Sequence, residues 1–479
     1  MLLCIVLCAL VIVEWSELKE PFHVISVHSY SVEVCEIVAV RKTEDYDQDA
    51  AQTGKHQKKT KQLYHDLMPL PLFAANRPKS LLVYINPFGG KRRGKRIYEQ
   101  KVAPMFRLAG IATTVIVTER ANHAEDHLKT EANLDKYDGV VCVGGDGMFS
   151  EILHGLVART QNDHGVDQNQ PDAELVPCSL RIGIIPAGST DCICFATVGT
   201  NDPVTSALHI VVGDSQPMDV CSVHHNDVFL RYSVSLLGYG FYGDVLSDSE
   251  RNRWLGPARY DLAGVKTFLS HNYYEGTVSF LPAEDDVGNP RDKLQCRSGL
   301  FLLVNLNALM LVSDDSSDWN EIHGKFIAIN AANMSCACPR SPKGLSPFAH
   351  LADGNADLIL VRNCSRLDFF KHLLRHTNKD DQFDHPFVEV HRVRKFRFEP
   401  ERHILVSLED LSEPATKTGY STPLGSWSCD GEILPEVAIQ VSVQCQLIRL
   451  FARGIEEQQQ QQCVSDDPCT LSALEPTTD

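Results

Sequence analysis

The sequence predicts an α/β fold, a parallel α/β domain followed by a β-rich, sandwich-like domain. Between residues 81 and 185 short apolar runs alternate with stretches of helical periodicity. Strands are expected at 81–85, 114–117, 139–143 and 181–185 and helices at 95–108, 121–130 and 148–158, the alternation of a parallel sheet. After Met218 the text changes to strand-like runs at 228–237, 276–281, 299–304, 325–330, 358–361, 388–398 and 438–443, with helices only at 259–270 and 366–376. The domain division that follows is 1–78, an atypical N-terminal region; 79–217, the α/β domain; 218–455, the β-rich domain; and 456–479, a low-complexity tail with Gln458 to Gln462 in a row, expected to be disordered.

The 479 residues allow two or three domains. A net charge of −17 weighs against nucleic acid as a partner, and 43% hydrophobic with 22% charged residues is an ordinary globular composition. Sixteen scattered cysteines fall short of the roughly 8–10% of a disulfide scaffold and point to a reducing, cytoplasmic setting. They read as small core hydrophobes. The apolar run from Leu2 to Val13 is shorter than the roughly 20 residues that cross a bilayer, so no transmembrane helix is expected and a buried strand is preferred to a signal peptide. The strand-like 34–40 and the polar stretch with Lys55, Lys58, Lys59 and Lys61 read as the remnant of a small domain or a linker.

Three of the predicted strands run directly into glycine-rich turns, and in an open α/β sheet ligands bind beyond the carboxyl ends of the strands. The first turn is Asn86-Pro87-Phe88-Gly89-Gly90 followed by Lys91, Arg92, Arg93, Lys95 and Arg96. It offers backbone amides and positive charge to phosphates. Arg96 stands where a P-loop needs Ser or Thr, which argues against a Walker loop. The second is Gly144-Gly145-Asp146-Gly147, between a strand and a helix carrying Glu151. A carboxylate repels phosphate, so Asp146 suits proton abstraction from an attacking hydroxyl, or it simply caps the helix. The third is Pro186-Ala187-Gly188-Ser189-Thr190-Asp191, whose hydroxyls bind phosphate or cap the next helix. Their joint appearance in one α/β domain points to a nucleotide-phosphate site.

The stretches INPFGG, VGGDGMFSEILHGL, RIGIIPAGSTDC, SLLGYGFYGD and SCDGE resemble the diacylglycerol kinase catalytic family, and SLLGYGFYGDVLSDSERNRWLGPARY resembles its ceramide kinase branch. The resemblance covers 79–455. It implies transfer of the ATP γ-phosphate to the primary hydroxyl of ceramide, with Mg²⁺, or Ca²⁺ as the alternative. Carried onto this chain, it implies an ATP site of Asn86, Pro87, Phe88, Thr118, Glu119, Arg120, Ala121, Asn122, Glu151, Gly188, Ser189, Thr190, Arg253, Arg259, Asp430, Gly431 and Glu432. Asp146 is the implied general base, Gly144, Gly145, Asp146, Gly147 and Asp244 are the implied substrate contacts, and Glu432 is the implied metal ligand.

The family further implies a cytoplasmic enzyme at a membrane surface, Golgi or plasma membrane, with calmodulin as a candidate partner for the helix at 367–376. Its apolar positions Phe370, Leu373 and Leu374 equally suit core packing. Arg392, Arg394 and Lys395 read as the guards of a solvated edge strand rather than a lipid-facing one. The N-terminal region does not resemble a complete pleckstrin-homology domain, and Cys296 stands without the neighbouring cysteines of the family, Leu300 and Leu303 taking their places. Kinases for diacylglycerol or sphingosine, and a catalytically weak lipid-binding protein, are the alternatives.

Overall fold

A computed structural model of the chain describes residues 76–256, 258–283, 290–291, 319–339, 341–376, 381–401 and 424–454. The expected strand at 299–304, Cys296, the N-terminal region to residue 75 and the low-complexity tail lie outside the described residues.

Four parallel strands form the first part of the sheet: β1 (Ser80–Ile85), β2 (Ala112–Val117), β3 (Gly139–Gly144) and β4 (Arg181–Pro186), in the order β2-β1-β3-β4. Alternate residues of β1 and β3 enter two different cores. Leu82, Tyr84, Val140 and Cys142 pack under helices α3 (His123–Thr130) and α4 (Asp146–His164). Leu81, Val83, Ile85, Val141 and Val143 pack on the other face, against α1 (Gly94–Ile97), the π-turn Tyr98–Val102, α2 (Ala103–Leu108) and α6 (Pro203–Val212). Burial on both faces is why these strands read as continuous apolar runs. The chain steps from β1 outward to β2 and then back across to β3, so the crevice at the carboxyl ends of β1 and β3 is a topological switch point.

The remaining strands are antiparallel: β5 (Gln216–His225), β6 (Val228–Ser233), β7 (Leu236–Gly240), β8 (Tyr274–Pro282), β9 (Asn320–Ala332), β10 (Ala356–Arg362), β11 (Val388–Pro400), β12 (Trp427–Cys429), β13 (Glu432–Ile433) and β14 (Ile439–Leu450). β9 pairs with β8 through its first half and with β7 and β10 through its second, so the sheet bends around an aromatic core that includes Tyr239, Phe326, Phe396, Phe398 and Trp427. The end of β14 runs parallel to the start of β4, and Phe451 joins the first lobe's core, so residues far beyond 217 complete the α/β lobe.

Several expectations need correction. The single strand expected at 228–237 is two strands, because the Asp430 carboxylate gathers the amides of Val234, Ser235 and Leu236 and diverts the chain. Helices α5 (Cys192–Val198), α6 and α7 (Phe241–Arg251) were not expected; Gly243 interrupts the first turn of α7, directly after the glycines at 238 and 240 of β7. β11 is not an edge strand. It pairs with β10, β8 and β14, and Arg392 is buried in an ion pair with Asp357 at 3.1 Å. Helix α8 (Ala258–Ser270) falls at the expected 259–270, and helix α9 (Arg366–Arg375) buries Phe369 and Leu373, with Phe369 packed edge-on against Phe241. The described cysteines are free thiols, most of them buried.

Candidate active site

The three glycine turns meet backbone to backbone. A side chain at Gly90 would lie 2.5 Å from Ala187 O, and one at Gly188 would lie 2.6 Å from Gly145 Cα. Glycine is the residue that permits such approach, and Gly90 also has φ +53°. Asn86 shapes the first turn: its Oδ1 accepts from the amides of Phe88 (2.8 Å) and Gly89 (3.1 Å), leaving Phe88 exposed. The Thr118 amide donates to Ile85 O at 2.9 Å, which lays the loop after β2 beside the first turn. Glu119, Arg120, Ala121 and Asn122 are exposed there, and Arg120 pairs with Asp126 at 2.7 Å.

Asp146 opens α4 but turns its carboxylate to the start of α5. Oδ1 accepts from Ile193 N at 3.0 Å and Oδ2 from Cys192 N at 3.2 Å. Burial pushes its carboxyl above the ordinary range against the pull of those two amides. One turn further along α4, Glu151 faces the start of α3, where the amides of Asn122 and Ala124 favour its charged form, while its Oε2 is buried without a partner. Its carboxyl is also raised by burial.

Asp191, which sequence reasoning placed in the third turn without giving it a role, is buried at φ +53°. Its Oδ1 accepts from Gly188 N at 2.9 Å, and burial, with the Asp146 charge adding to it, raises its carboxyl to about 7. Its sequence signal was its place one to three residues after the glycine and hydroxyl residues. Arg231, also missed, reaches from β6 to donate to Ser150 Oγ of α4 at 3.1 Å and so ties the two lobes together; nothing in its strand marks it out.

A cleft of about 1240 Å³ runs between the first and third turns, lined by Lys91, Arg93, Arg96, Lys101, Gly188, Ser189, Thr190 and Arg259. An adjoining cavity of about 620 Å³ is lined by Arg259, Gly431 and the exposed Glu432. Arg259 is held by Glu250 at 3.1 Å and donates to Tyr260 Oη at 2.7 Å. The structure therefore brings Arg259, Gly188 to Thr190 and Glu432 to one opening. The Arg253 side chain lies outside the described residues.

Two predicted residues have their carboxylates engaged within the protein. Asp430 and Gly431, at φ +48° and +91°, form the tight β12–β13 turn. The Asp430 carboxylate accepts from the hydroxyls of Ser233 and Ser235 and from the three amides that divert β6 into β7. Asp244, in the first turn of α7, accepts from Tyr274 Oη and from Ser426 N at 3.1 Å, and burial raises its carboxyl to about 6.

This is the open α/β architecture of a phosphate-binding enzyme, with a cationic cleft at the switch point, the buried Asp191 in its wall and the half-buried Asp146 in the adjoining turn. The comparisons with known proteins agree. Residues 80–223 match the diacylglycerol kinase catalytic domain, 235–467 the ceramide kinase C-terminal domain and 3–73 the ceramide kinase PH domain. The chain is 61% identical over 408 residues to human ceramide kinase, covering 80% of this chain and 75% of that protein, and 32% identical over 493 residues to the ceramide kinase of Oryza sativa subsp. japonica, covering 80% and 78%. A putative diacylglycerol kinase from Bacillus anthracis shares the fold at a TM-score of 0.51 with 13% identity, covering 78% of this chain and 98% of that one. The chain belongs to the ceramide kinase family. It is an ATP-dependent lipid kinase.

Proposed function

We propose that the protein phosphorylates ceramide on its primary hydroxyl, giving ceramide 1-phosphate. The observation that carries the mechanism is Asp146, a half-buried carboxylate held by two amides where the second glycine turn meets the third, whose Gly188 to Asp191 line a cationic cleft. The hydroxyl oxygen attacks the γ-phosphorus, the bond from that phosphorus to the β,γ-bridging oxygen breaks, ADP leaves, and the hydroxyl proton passes to Asp146. A carboxylate pushed above its ordinary range is a better proton acceptor than a solvated one. The amides of the first and third turns, with Lys91, Arg93, Arg96 and Arg259, receive the phosphates. Charge on the transferred group is stabilised by fixed cations and dipoles rather than by covalent chemistry.

Among the described residues no three His, Cys, Asp or Glu side chains converge as a metal cage. A divalent cation fits in the way Mg²⁺ is usually held, by one or two carboxylates and the nucleotide's own phosphates. Glu151, with its unpartnered Oε2, Asp191 and Glu432 are the carboxylates for it. Such an ion would neutralise charge on the triphosphate. The choice between Mg²⁺ and Ca²⁺ is read by restoring activity to chelated protein with each ion.

The PH-domain match at residues 3–73 supports work at a membrane surface, and among the described residues no helix is long and apolar enough to cross a bilayer. The family resemblance extends this to the cytoplasmic face of the Golgi or plasma membrane. A calmodulin-type partner would have to lift Phe369 and Leu373 of α9 out of the core, so its binding should lower thermal stability. The test of the whole reading incubates the protein and Asp146→Asn with γ-labelled ATP, Mg²⁺ and micelles of ceramide, diacylglycerol or sphingosine. Labelled ceramide phosphate that vanishes in the variant is expected; label on another lipid alone overturns the substrate.

A further inference from the structure

Helices α8 and α9 present large apolar side chains to solvent. Trp254, in the turn that leads into α8, is 81% exposed, and Leu262 and Leu269 of α8 and Leu367 of α9 are each more than half exposed. On α8 the helical spacing puts Leu262, Val265, Lys266 and Leu269 on one side, away from the buried Ala263, Gly264 and Thr267. The two helices touch. His271, just past α8, donates through Nε2 to Cys364 O at 2.8 Å, and the Phe268 ring meets that of Phe370 at 6.0 Å. Leu269 follows one of those rings and Leu367 stands one turn from the other, so both leucines border a single seam. Single apolar residues on a surface are ordinary, whereas a group of them on two touching helices marks a docking face.

Charge selects the occupant. The chain carries −17 overall, yet Lys266, Arg366 and Lys371 stand exposed among these apolar side chains. Against them are Asp248, paired with Lys266 at 2.5 Å, and Asp368, paired with Lys371 at 3.1 Å, so the face keeps a positive balance. In a symmetric dimer these cations would meet their own copies. An anionic lipid surface pairs with them instead, and leucine and tryptophan rimmed by Lys and Arg are the composition of helices that lie in a bilayer interface.

The same helix forms part of the phosphate-receiving cleft. Gly256, Arg259, Tyr260 and Asp261 line that cleft, and Leu262 is the next residue along α8. A bilayer seated on α8 and α9 therefore lies at the rim of the cleft, where a lipid presents its hydroxyl at the level of the headgroups.

We propose that Trp254, Leu262, Leu269 and Leu367 form a membrane-docking face of the kinase lobe, which seats on an anionic bilayer. The four apolar side chains enter the boundary between headgroups and acyl chains, and Lys266, Arg366 and Lys371 meet the lipid phosphates above it. This rests on the reading of a kinase that takes ceramide from a membrane. It assigns a membrane contact to residues of the catalytic part of the chain, separate from the PH-domain match at 3–73. Recruitment by a PH domain raises the local concentration of enzyme, whereas this face turns the cleft toward the substrate.

The test presents ceramide to the full chain in two ways: long-chain ceramide in vesicles of phosphatidylcholine and phosphatidylserine, and short-chain ceramide dissolved as monomers. Trp254→Ala combined with Leu262→Gln, Leu269→Gln and Leu367→Gln should lower kcat/KM on vesicles by roughly tenfold or more, the worth of the apolar area withdrawn from water. Turnover of dissolved ceramide and Tm should stay at the wild-type values, because the four side chains are exposed in the free protein. Arg366→Gln with Lys371→Gln should lower turnover on vesicles containing phosphatidylserine by roughly fivefold or more and leave it unchanged on phosphatidylcholine alone. Brominated acyl chains should quench the part of the fluorescence that Trp254→Phe removes. A fourfold variant that keeps wild-type turnover on vesicles overturns the proposal, as does one that loses activity equally on both presentations. Absence of Trp254 quenching overturns it too, and a variant that changes only the oligomeric state by light scattering would give the face to a second copy of the chain. A wild type that labels diacylglycerol or sphingosine and not ceramide overturns the substrate reading itself, and the quenching, which needs no substrate, then still decides the docking face.

Discussion

Asp146 and Glu151, five residues apart on α4, face the starts of two different helices: Asp146 accepts from the amides of Cys192 and Ile193 in α5, and the nearby amides of Asn122 and Ala124, at the start of α3, favour the charged form of Glu151. Neither α3 nor α5 has a capping hydrogen bond from its own N-cap side chain. Asp146 therefore completes orphaned amides of α5, and Glu151 faces the amide end of α3.

Asp146→Asn separates this architectural role from the chemical one. The amide keeps one acceptor and turns an N–H toward the other helix amide, a loss of about 1–2 kcal/mol that the removal of a buried charge partly offsets. Tm should fall by a few degrees at most, while phosphate transfer should fall by roughly 10²–10⁴-fold, the usual worth of a positioned base. Transfer above a tenth of wild type, measured beside a thermal melt, would remove Asp146 from the chemistry.

Asp191 gives the pH dependence a sign. Its carboxyl is raised to about 7 in the folded protein, against an unfolded value of about 3.9. The folded state therefore holds the extra proton between those values, and the stability it contributes is present at low pH and lost as pH rises toward 7. Asp191→Asn, which can still accept from Gly188 N, should raise Tm at pH 8 more than at pH 4.5 and flatten the slope between them. A parallel pH dependence in both proteins would show that Asp191 is not buried as described.

Gly188→Ala tests the meeting of the turns. The added methyl would lie 2.5 Å from Asp191 Oδ1 and 2.6 Å from Gly145 Cα, and backbone cannot yield as a flexible side chain can. The second and third turns should part, raising KM for ATP by roughly tenfold or more, since misplacement of about 1 Å at a positioned site is felt strongly. An unchanged KM would mean that the turns do not jointly receive the nucleotide.

The parallel half of the fold was legible because strands buried on both faces produce unbroken apolar runs, as in Leu81 to Ile85 and Val140 to Val143. The three turns were legible because glycine, backbone approach and strand ends coincide. What escaped depends on contacts remote in sequence. Arg392 resembles an edge guard until Asp357, 35 residues away, is seen beside it. The break after β6 has no local turn signal and is imposed by Asp430, almost 200 residues further on.

Asp430 supplies the last prediction, because its five hydrogen bonds decide between two roles. The carboxylate accepts from Ser233, Ser235 and the amides of residues 234–236, which makes it a clip between the β12–β13 turn and the path from β6 into β7. The neighbouring Gly431 and Glu432 line the cavity beside Arg259, so the clip also positions one wall of that opening. Asp430→Asn keeps a single oxygen acceptor and presents an N–H to at least one amide donor. The expected result is a loss of roughly 2–4 kcal/mol in stability, read by denaturant unfolding, since each buried donor left unpaired costs about 1–3 kcal/mol. KM for ATP should rise with it, and the conservative variant Asp430→Glu should fail to restore either, because a longer side chain cannot reach the same five donors. A variant that unfolds like wild type but binds ATP poorly would instead make Asp430 a direct nucleotide contact.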